Sequence, residues 1–281
     1  MLVKKKEDLY RQNTMRLHSM ADIEYYPENY NDLLDLKEVF QSDCVILSAG
    51  SNVLLPPRLQ KPVVSLMSLN NRIDIKENGS VYVGCSVKVQ KLIKFLQSNK
   101  LGGIEYLYSV PASVGGLVYM NGGRGRKCNQ AISDYLETVE YLDLNDMKIK
   151  EYQKYQKDFS YRHSPFQNMR VIILSATFRF RMQEPVVTEK LIKERIMYSK
   201  QKLSADKPSC GTVFCTGNRY IFRLFRGMKI GGAIFSKKTS NWISNVDNAT
   251  YEDVVKLICR MQTIHRWCFC RCKSEIQIIK A

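Results

Sequence analysis

Tyr108-Ser109-Val110-Pro111-Ala112-Ser113-Val114-Gly115-Gly116-Leu117-Val118-Tyr119-Met120-Asn121-Gly122-Gly123 carries the densest backbone signal in the chain. A proline-led turn opens onto paired glycines, a short apolar run and an Asn followed by two more glycines. Glycine has no Cβ, so the backbone can approach a neighbour closely and adopt dihedrals closed to other residues. Successive free N–H groups in such a loop cradle an anion. A phosphate or cofactor loop is one reading and a plain turn is the other.

A second glycine turn lies upstream. Val45-Ile46-Leu47 is a short apolar run ending in Ser48-Ala49-Gly50-Ser51-Asn52, the pattern of a buried strand feeding a tight turn. Val53-Leu54-Leu55 continues apolar until Pro56-Pro57. Val63–Leu66 and Ile73–Ile75 read as strands, and Asn78-Gly79 before Val81–Val83 signals a hairpin. From Lys88 the period changes: Val89, Leu92, Ile93 and Leu96 form a helical stripe that stops near Asn99. Strands are expected at Thr138–Leu144 and Val171–Phe180, with a boundary at Pro185.

Beyond Pro185, Thr188–Lys202 reads as a charged helix and Asp206–Gly211 as a loop. Ala233–Phe235 and Trp242-Ile243 are strand-like. Thr250 with Asp253 three residues on opens a helix through about Trp267 as a capping box, and Ile276–Ile279 ends as a strand. No repeat or low-complexity segment occurs, and the class is α+β.

The 281 residues suffice for two or three domains, and 44% hydrophobic with 25% charged residues is ordinary for a soluble protein. No run of 18 apolar residues suggests a membrane span. The basic start Met1–Lys6 has no apolar stretch behind it, so no signal peptide is expected and the cytoplasm is the expected location. Nine cysteines should then be reduced thiols. Cys268, Cys270 and Cys272 alternate without a second ligand pair, so apolar filling is expected rather than a metal site. A net charge of +16, with Lys and Arg spread along the whole chain, suits anionic small molecules better than nucleic acid.

The glycine-rich stretch resembles the Pro-Gly-Ser/Thr-Val-Gly-Gly-Ala…Met-Asn-Ala-Gly signature of the UDP-N-acetylenolpyruvoylglucosamine reductase (UDP-N-acetylmuramate dehydrogenase) family. Further blocks follow the family's order. Asn13-Thr14 stands where the family opens its flavin fold, and Leu47–Leu54 is similar to Gly-x-Gly-Ser-Asn-Leu-Leu. Phe159-Ser160-Tyr161-Arg162-His163-Ser164-Pro165-Phe166 resembles Phe-x-Tyr-Arg-x-Ser-x-Phe. Pro208-Ser209-Cys210-Gly211-Thr212-Val213-Phe214 resembles Pro-Ser-Ala-Gly-Ser-x-Phe, and Ser274-Glu275-Ile276 resembles Pro-Glu-Val/Ile.

The resemblance implies a two-subdomain FAD-binding fold of the vanillyl-alcohol-oxidase (PCMH) type with a carboxyl-terminal α+β substrate domain. The implied parts are residues 1–66 joined by 273–281, residues 67–184, and a substrate domain over 185–272. FAD would meet Ser48, Ala49, Gly50, Ser51 and Asn52 in one turn, and Pro111, Ser113, Val114, Gly115, Gly116, Asn121 and Gly123 in the other. NADPH would supply hydride, and the substrate would be a UDP-sugar. Arg162, Thr212 and Glu275 take the catalytic positions, against the plainer roles of an arginine pairing with Asp158 and an exposed strand glutamate. Tyr161, Lys229, Lys237 and Asn241 match substrate positions. A monomer with no nucleic-acid or membrane partner is expected.

Several positions depart from the family. Thr212 replaces a serine, and its extra methyl restricts χ1. Cys215-Thr216 replaces a Lys-Asn or Lys-Arg pair, and Thr239-Ser240-Asn241-Trp242 replaces His-Ala-Asn-Phe. Arg124-Gly125-Arg126 stands where Ala-Tyr-Gly is common, Leu17-His18-Ser19 lacks glycines, and the segment from Thr216 to Gly231 is short. A relative acting on another sugar nucleotide, or a flavin-binding protein without turnover, are the rival expectations.

Overall fold

The computed structural model describes residues 1–124, 128–203 and 206–280; Gly125 and Arg126 of the divergent Arg124–Arg126 segment lie outside them. By its internal contacts the chain forms two compact units. The first holds residues 1–4, 24–49 and 62–196, and the second residues 5–23, 50–61 and 197–281.

The first unit is built on an antiparallel sheet in the order Lys148–Gln153, Leu136–Asp143, Val171–Phe178, Val81–Gly84, Ile73–Ile75. All eight side chains of Val171–Phe178 are buried, so this central strand is covered on both faces, and its apolar run has no need to alternate. Asn78-Gly79 makes the expected hairpin, pairing Ile73 with Val83 and Ile75 with Val81. Gly79 takes a φ of +78° there, and the Asn78 Oδ1 accepts from the Ser80 N–H at 3.0 Å. Two short helices, α1 (Tyr30–Asp35) and α2 (Lys37–Gln41), cross over to the strand Val45–Leu47, which pairs parallel with Val63–Ser65.

Helix α3 (Val89–Ser98) buries Val89, Leu92, Ile93 and Leu96, the stripe read from the sequence. Each such apolar side chain contributes about 1.5–3 kcal/mol on burial. The glycine-rich stretch is only in part a loop. Val114–Tyr119 is a helix, α4, capped by the Ser113 hydroxyl and packed on Val171–Phe178. A Cβ on Gly115 would come within 2.9 Å of the Cys85 Cβ, so this glycine serves close helix–strand packing. Pro185 begins the helix α5 (Pro185–Lys202) three residues before the expected Thr188; the first helical turn tolerates proline because its missing N–H would have no intrahelical partner.

The second unit has an antiparallel sheet in the order Ser209–Thr212, Trp242–Asn245, Ala233–Phe235, Lys229–Ile230. The expected loop at Asp206–Gly211 is therefore corrected: its last residues are strand, paired with a segment thirty residues on. A short helix, α6 (Arg219–Leu224), precedes this hairpin region. Helix α7 (Tyr251–Trp267) opens on the expected capping box, Thr250 Oγ1 accepting from the Asp253 N–H at 3.1 Å and the Asp253 carboxylate accepting from the Thr250 N–H at 3.0 Å. Val254, Leu257, Ile258 and Met261 are buried along it. Lys273–Ser274 pairs with Phe214–Thr216, and Gln277–Ile278 runs parallel to Val53–Leu54.

Cys270 and Cys272 pack against the second unit's core, whereas Cys268 is exposed at the end of α7. All nine cysteines are free thiols. Among the described residues no group of three or more His, Cys, Asp or Glu side chains could hold a metal ion, and no helix is long and apolar enough to cross a membrane.

Candidate active site

In the first unit the two glycine turns meet through their serines. Ser48 Oγ and Ser113 Oγ lie 2.5 Å apart, and Ser113 Oγ also accepts from the Gly116 N–H at 3.2 Å. The next amides are committed to the fold: Val114 N–H donates to the Val87 carbonyl at 2.8 Å and Gly115 N–H to the Cys85 carbonyl at 2.9 Å. No run of free amides therefore exists over Val114–Gly116, contrary to the anion-cradle reading of that stretch. Pro111 is exposed at the centre of a tight turn closed by the Ala112 N–H on the Val110 carbonyl.

The free amides are upstream. The N–H groups of Ala49, Gly50 and Ser51 donate to no acceptor among the described residues, and adjacent unpaired N–H groups are what an anion needs. Gly50 takes a φ of +62°, and a Cβ there would collide with the Gln12 carbonyl. Thr14 N–H holds the turn by donating to the Gly50 carbonyl at 3.2 Å, and Asn13 braces its own segment through bonds to Leu9 and Leu17. This explains why Asn13-Thr14 accompanies the glycine turn.

Asn121 is buried in the left-handed region, φ +43°. Its Nδ2 donates to the Ser160 carbonyl at 2.8 Å, while its Oδ1 is buried with no partner among the described residues. A buried acceptor left unpaired costs about 1–3 kcal/mol, so a bound donor would relieve it. Free amides of this kind suit phosphate groups, and a buried acceptor of this kind suits a ring N–H. A Cβ on Gly123 would collide with the Gln130 carbonyl, so glycine there permits the pairing with Ala131.

Ser160 carries the second motif into the same place. Ser160 and His163 exchange N–H···O bonds of 3.2 and 3.0 Å, closing a two-residue turn over Tyr161 and Arg162. Arg162 takes a φ of +58°, at the turn position where glycine is usual in a type II turn. Ser164 Oγ and Gln167 Nε2 both donate to the Tyr119 carbonyl, at 2.6 and 3.0 Å, and Gln167 also donates to the Arg162 carbonyl. The Arg162 turn is thus fastened to the end of α4 beside Asn121. Asp158 accepts from the Tyr152 hydroxyl at 2.6 Å.

In the second unit, Thr212 follows a bulge. Ser209 pairs with Ser244 and Thr212 with Trp242, so three steps on one strand match two on the other. Gly211 absorbs the extra residue with a φ of +72°; such bulges re-aim the next side chain. Glu275 N–H donates to the Val213 carbonyl at 2.8 Å, which brings Glu275 to the Thr212 segment. Asn52 Nδ2 donates to the Glu275 carbonyl at 3.0 Å, so Gly50–Asn52 adjoins the same point. Burial, with the Glu275 charge adding to it, pushes the Cys210 thiol up to about 12; a thiol held protonated in this way is chemically quiet.

The proposed substrate residues are used unequally. Asn241 has both ends of its amide on the Phe214 backbone, accepting at 3.0 Å and donating at 2.8 Å. Lys229 is exposed with its Nζ 3.6 Å from Asp247, and Lys237 and Tyr161 are exposed. Sequence reasoning missed Trp242, whose ring would lie 3.9 Å from a Cβ on Gly211; only the strand register pairs it with Thr212. Arg162 belongs to the first unit, and Thr212, Asn241 and Glu275 to the second.

Known proteins resemble this chain over most of its length. Residues 22–151 match the FAD binding domain family. The UDP-N-acetylenolpyruvoylglucosamine reductase of Fusobacterium nucleatum subsp. nucleatum is 30% identical over 260 residues, covering 90% of each chain. That of Francisella tularensis subsp. tularensis is 33% identical over 264 residues, covering 89% of this chain and 90% of its own. The crystal structure of UDP-N-acetylenolpyruvylglucosamine reductase from Thermus caldophilus shares the fold over the full length of both chains, with a TM-score of 0.80 at 23% identity. The α+β FAD-binding fold expected from the motifs is the one observed, and the chain belongs to the UDP-N-acetylenolpyruvoylglucosamine reductase family of FAD-dependent oxidoreductases.

Proposed function

We propose that the protein reduces the enolpyruvyl ether of UDP-N-acetylglucosamine to the lactyl ether of UDP-N-acetylmuramate, with NADPH as reductant, in cytoplasmic peptidoglycan precursor synthesis. The observation that carries this reading is the contact of the Glu275 and Thr212 segments through the Val213 carbonyl, next to Asn52 of the glycine turn. Residues 1–66 with 273–281 and 67–184 would serve as flavin subdomains, and 185–272 as the substrate part. The enzyme would act as a monomer, without nucleic acid.

FAD, when bound, supplies hydride chemistry. Ala49, Gly50 and Ser51 would hold its phosphates through their N–H groups, and Asn121 Oδ1 would accept from its ring. Arg162 offers a planar, permanently charged fork suited to the substrate carboxylate. As negative charge develops on the enolpyruvyl group, the Arg162 guanidinium stabilises it, the kind of term that is often the largest in catalysis, and the Glu275 carboxyl adds to this only in its protonated form, as a hydrogen-bond donor. The Thr212 hydroxyl delivers the proton to the α-carbon.

The purified protein is expected to be yellow, with FAD released intact by acid precipitation, because neither glycine turn contains a His or Cys for covalent attachment. A preparation that stays colourless after reconstitution with FAD overturns the cofactor assignment. Glu275→Gln should keep this colour and lower kcat about 10²-fold; a parental kcat would remove Glu275 from the chemistry.

A second reading, another sugar nucleotide as substrate, is favoured by the use of Asn241 on Phe214 and of Lys229 on Asp247. Both residues offer a UDP group less than the motif implies. NADPH oxidation that stays uncoupled from the enolpyruvyl UDP-sugar but couples to a different sugar nucleotide would select it.

A further inference from the structure

Helix α7 ends in an arrangement that works against folding stability. Cys270 N–H donates to the His265 carbonyl at 2.8 Å and Phe269 N–H to the Arg266 carbonyl at 3.0 Å. This double bond pattern is a Schellman cap, whose left-handed residue is usually glycine. Here it is Phe269, with a φ of +53°. A bulky side chain in that region is a backbone outlier, and burial does not offset it, because Phe269 is 100% exposed. Trp267, two residues earlier, is 75% exposed.

The cap is joined to a second apolar display. Asn218 N–H donates to His265 Nε2 at 3.0 Å and its Nδ2 to the Cys270 sulfur at 3.6 Å, fixing the start of α6 against the end of α7. On α6, Tyr220 and Leu224, one turn apart, are 68% and 78% exposed. The flanking sequence is cationic. Residues 207–246 and 254–274 contain no Asp or Glu, and Arg219, Arg223, Arg260, Arg266, Arg271 and Lys273 are all exposed.

This combination selects the occupant. A second copy would bring one strongly basic segment against another, which like charge opposes. Leu224 and Phe269 offer no hydrogen-bonding group and Leu224 no π face, which suits acyl chains better than bases. A projecting aromatic tip flanked in sequence by exposed Arg and Lys is the pattern of a protein surface that dips into the headgroup layer of an anionic bilayer. We propose that the Trp267–Phe269 cap, with Tyr220 and Leu224, is a docking site for an anionic membrane surface. It needs no spanning helix and departs from the sequence expectation of no membrane partner.

The test uses the full-length FAD-loaded protein with phosphatidylcholine–phosphatidylglycerol vesicles, and pure phosphatidylcholine vesicles as control. Co-sedimentation with the anionic vesicles only, weakened by salt, is expected. Phe269→Gly should weaken it at least about tenfold while its melting temperature equals or exceeds the parent's, since glycine is the natural cap residue. Trp267→Ala should weaken it likewise, and brominated lipid should quench Trp267 fluorescence in the parent. Protein that stays in the supernatant, or a Phe269→Gly variant that binds like the parent, overturns the proposal. So does binding to a single-stranded oligonucleotide, or self-association, that these substitutions abolish in the absence of vesicle binding.

Discussion

Thr212→Ala is expected to leave reduction by NADPH unchanged and to slow the substrate-dependent half of the cycle by about 10²–10⁴-fold, the range for a lost general acid. The two halves separate because NADPH needs no proton from Thr212, whereas the α-carbon of the enolpyruvyl group does. Thr212 sits at the strand position immediately after the Gly211 bulge, so its hydroxyl is placed by backbone geometry that alanine would preserve. Thr212→Ser should act at or above the parental rate, since it removes one methyl and frees χ1. Stopped-flow absorbance at the flavin band, with each substrate added separately, reads both halves. Parental reoxidation in the alanine variant would assign the proton to another source.

Arg162→Gly is expected to lower kcat/KM for the UDP-sugar by at least about 10²-fold, as for one partner removed from a desolvated charge pair. Its stability should move the other way. Arg162 is held in the left-handed region, where a non-glycine residue costs roughly 1–2 kcal/mol. Relief of that strain corresponds to a rise of about 2–4 °C for each kcal/mol in a chain of this size. Arg162→Lys keeps the charge and the strained backbone but loses the fork, so it should be poor and no more stable than the parent. A glycine variant that is both active and more stable would leave the arginine without a task.

Legibility differed by the range of the information. Helix α3 was readable because Val89, Leu92, Ile93 and Leu96 declare their own period, and α7 because Thr250 and Asp253 form a local cap. The hairpin at Asn78-Gly79 was equally local. Gly115 and Gly116 were harder: each disfavours a helix by about 1 kcal/mol against alanine, yet the Ser113 cap and close packing on Cys85 override that. Ser209–Gly211 was read as loop because the partner strand lies about thirty residues away. The types of the candidate site residues were visible in the motifs, but the use of their polar groups was not. Nothing in the sequence reveals that the amides of Val114 and Gly115 are taken, that those of Ala49–Ser51 are free, or that Asn241 braces Phe214.

The make-up of the second unit sets the order in which it can assemble on a ribosome. Its segments 5–23 and 50–61 emerge early, but the rest of the unit, 197–281, comes last. Synthesis of the intervening stretch takes about ten to thirty seconds at bacterial elongation speeds. Met20–Ala21 already has Arg58–Leu59 beside it, but through that interval the strand Val53–Leu54 must wait for Gln277–Ile278 at the far end of the chain. The first unit, nearly continuous from residue 62 to 196, can close in the meantime. A nascent chain halted before residue 270 would hold a finished half and leave apolar residues such as Leu17 and Leu54 open to chaperones.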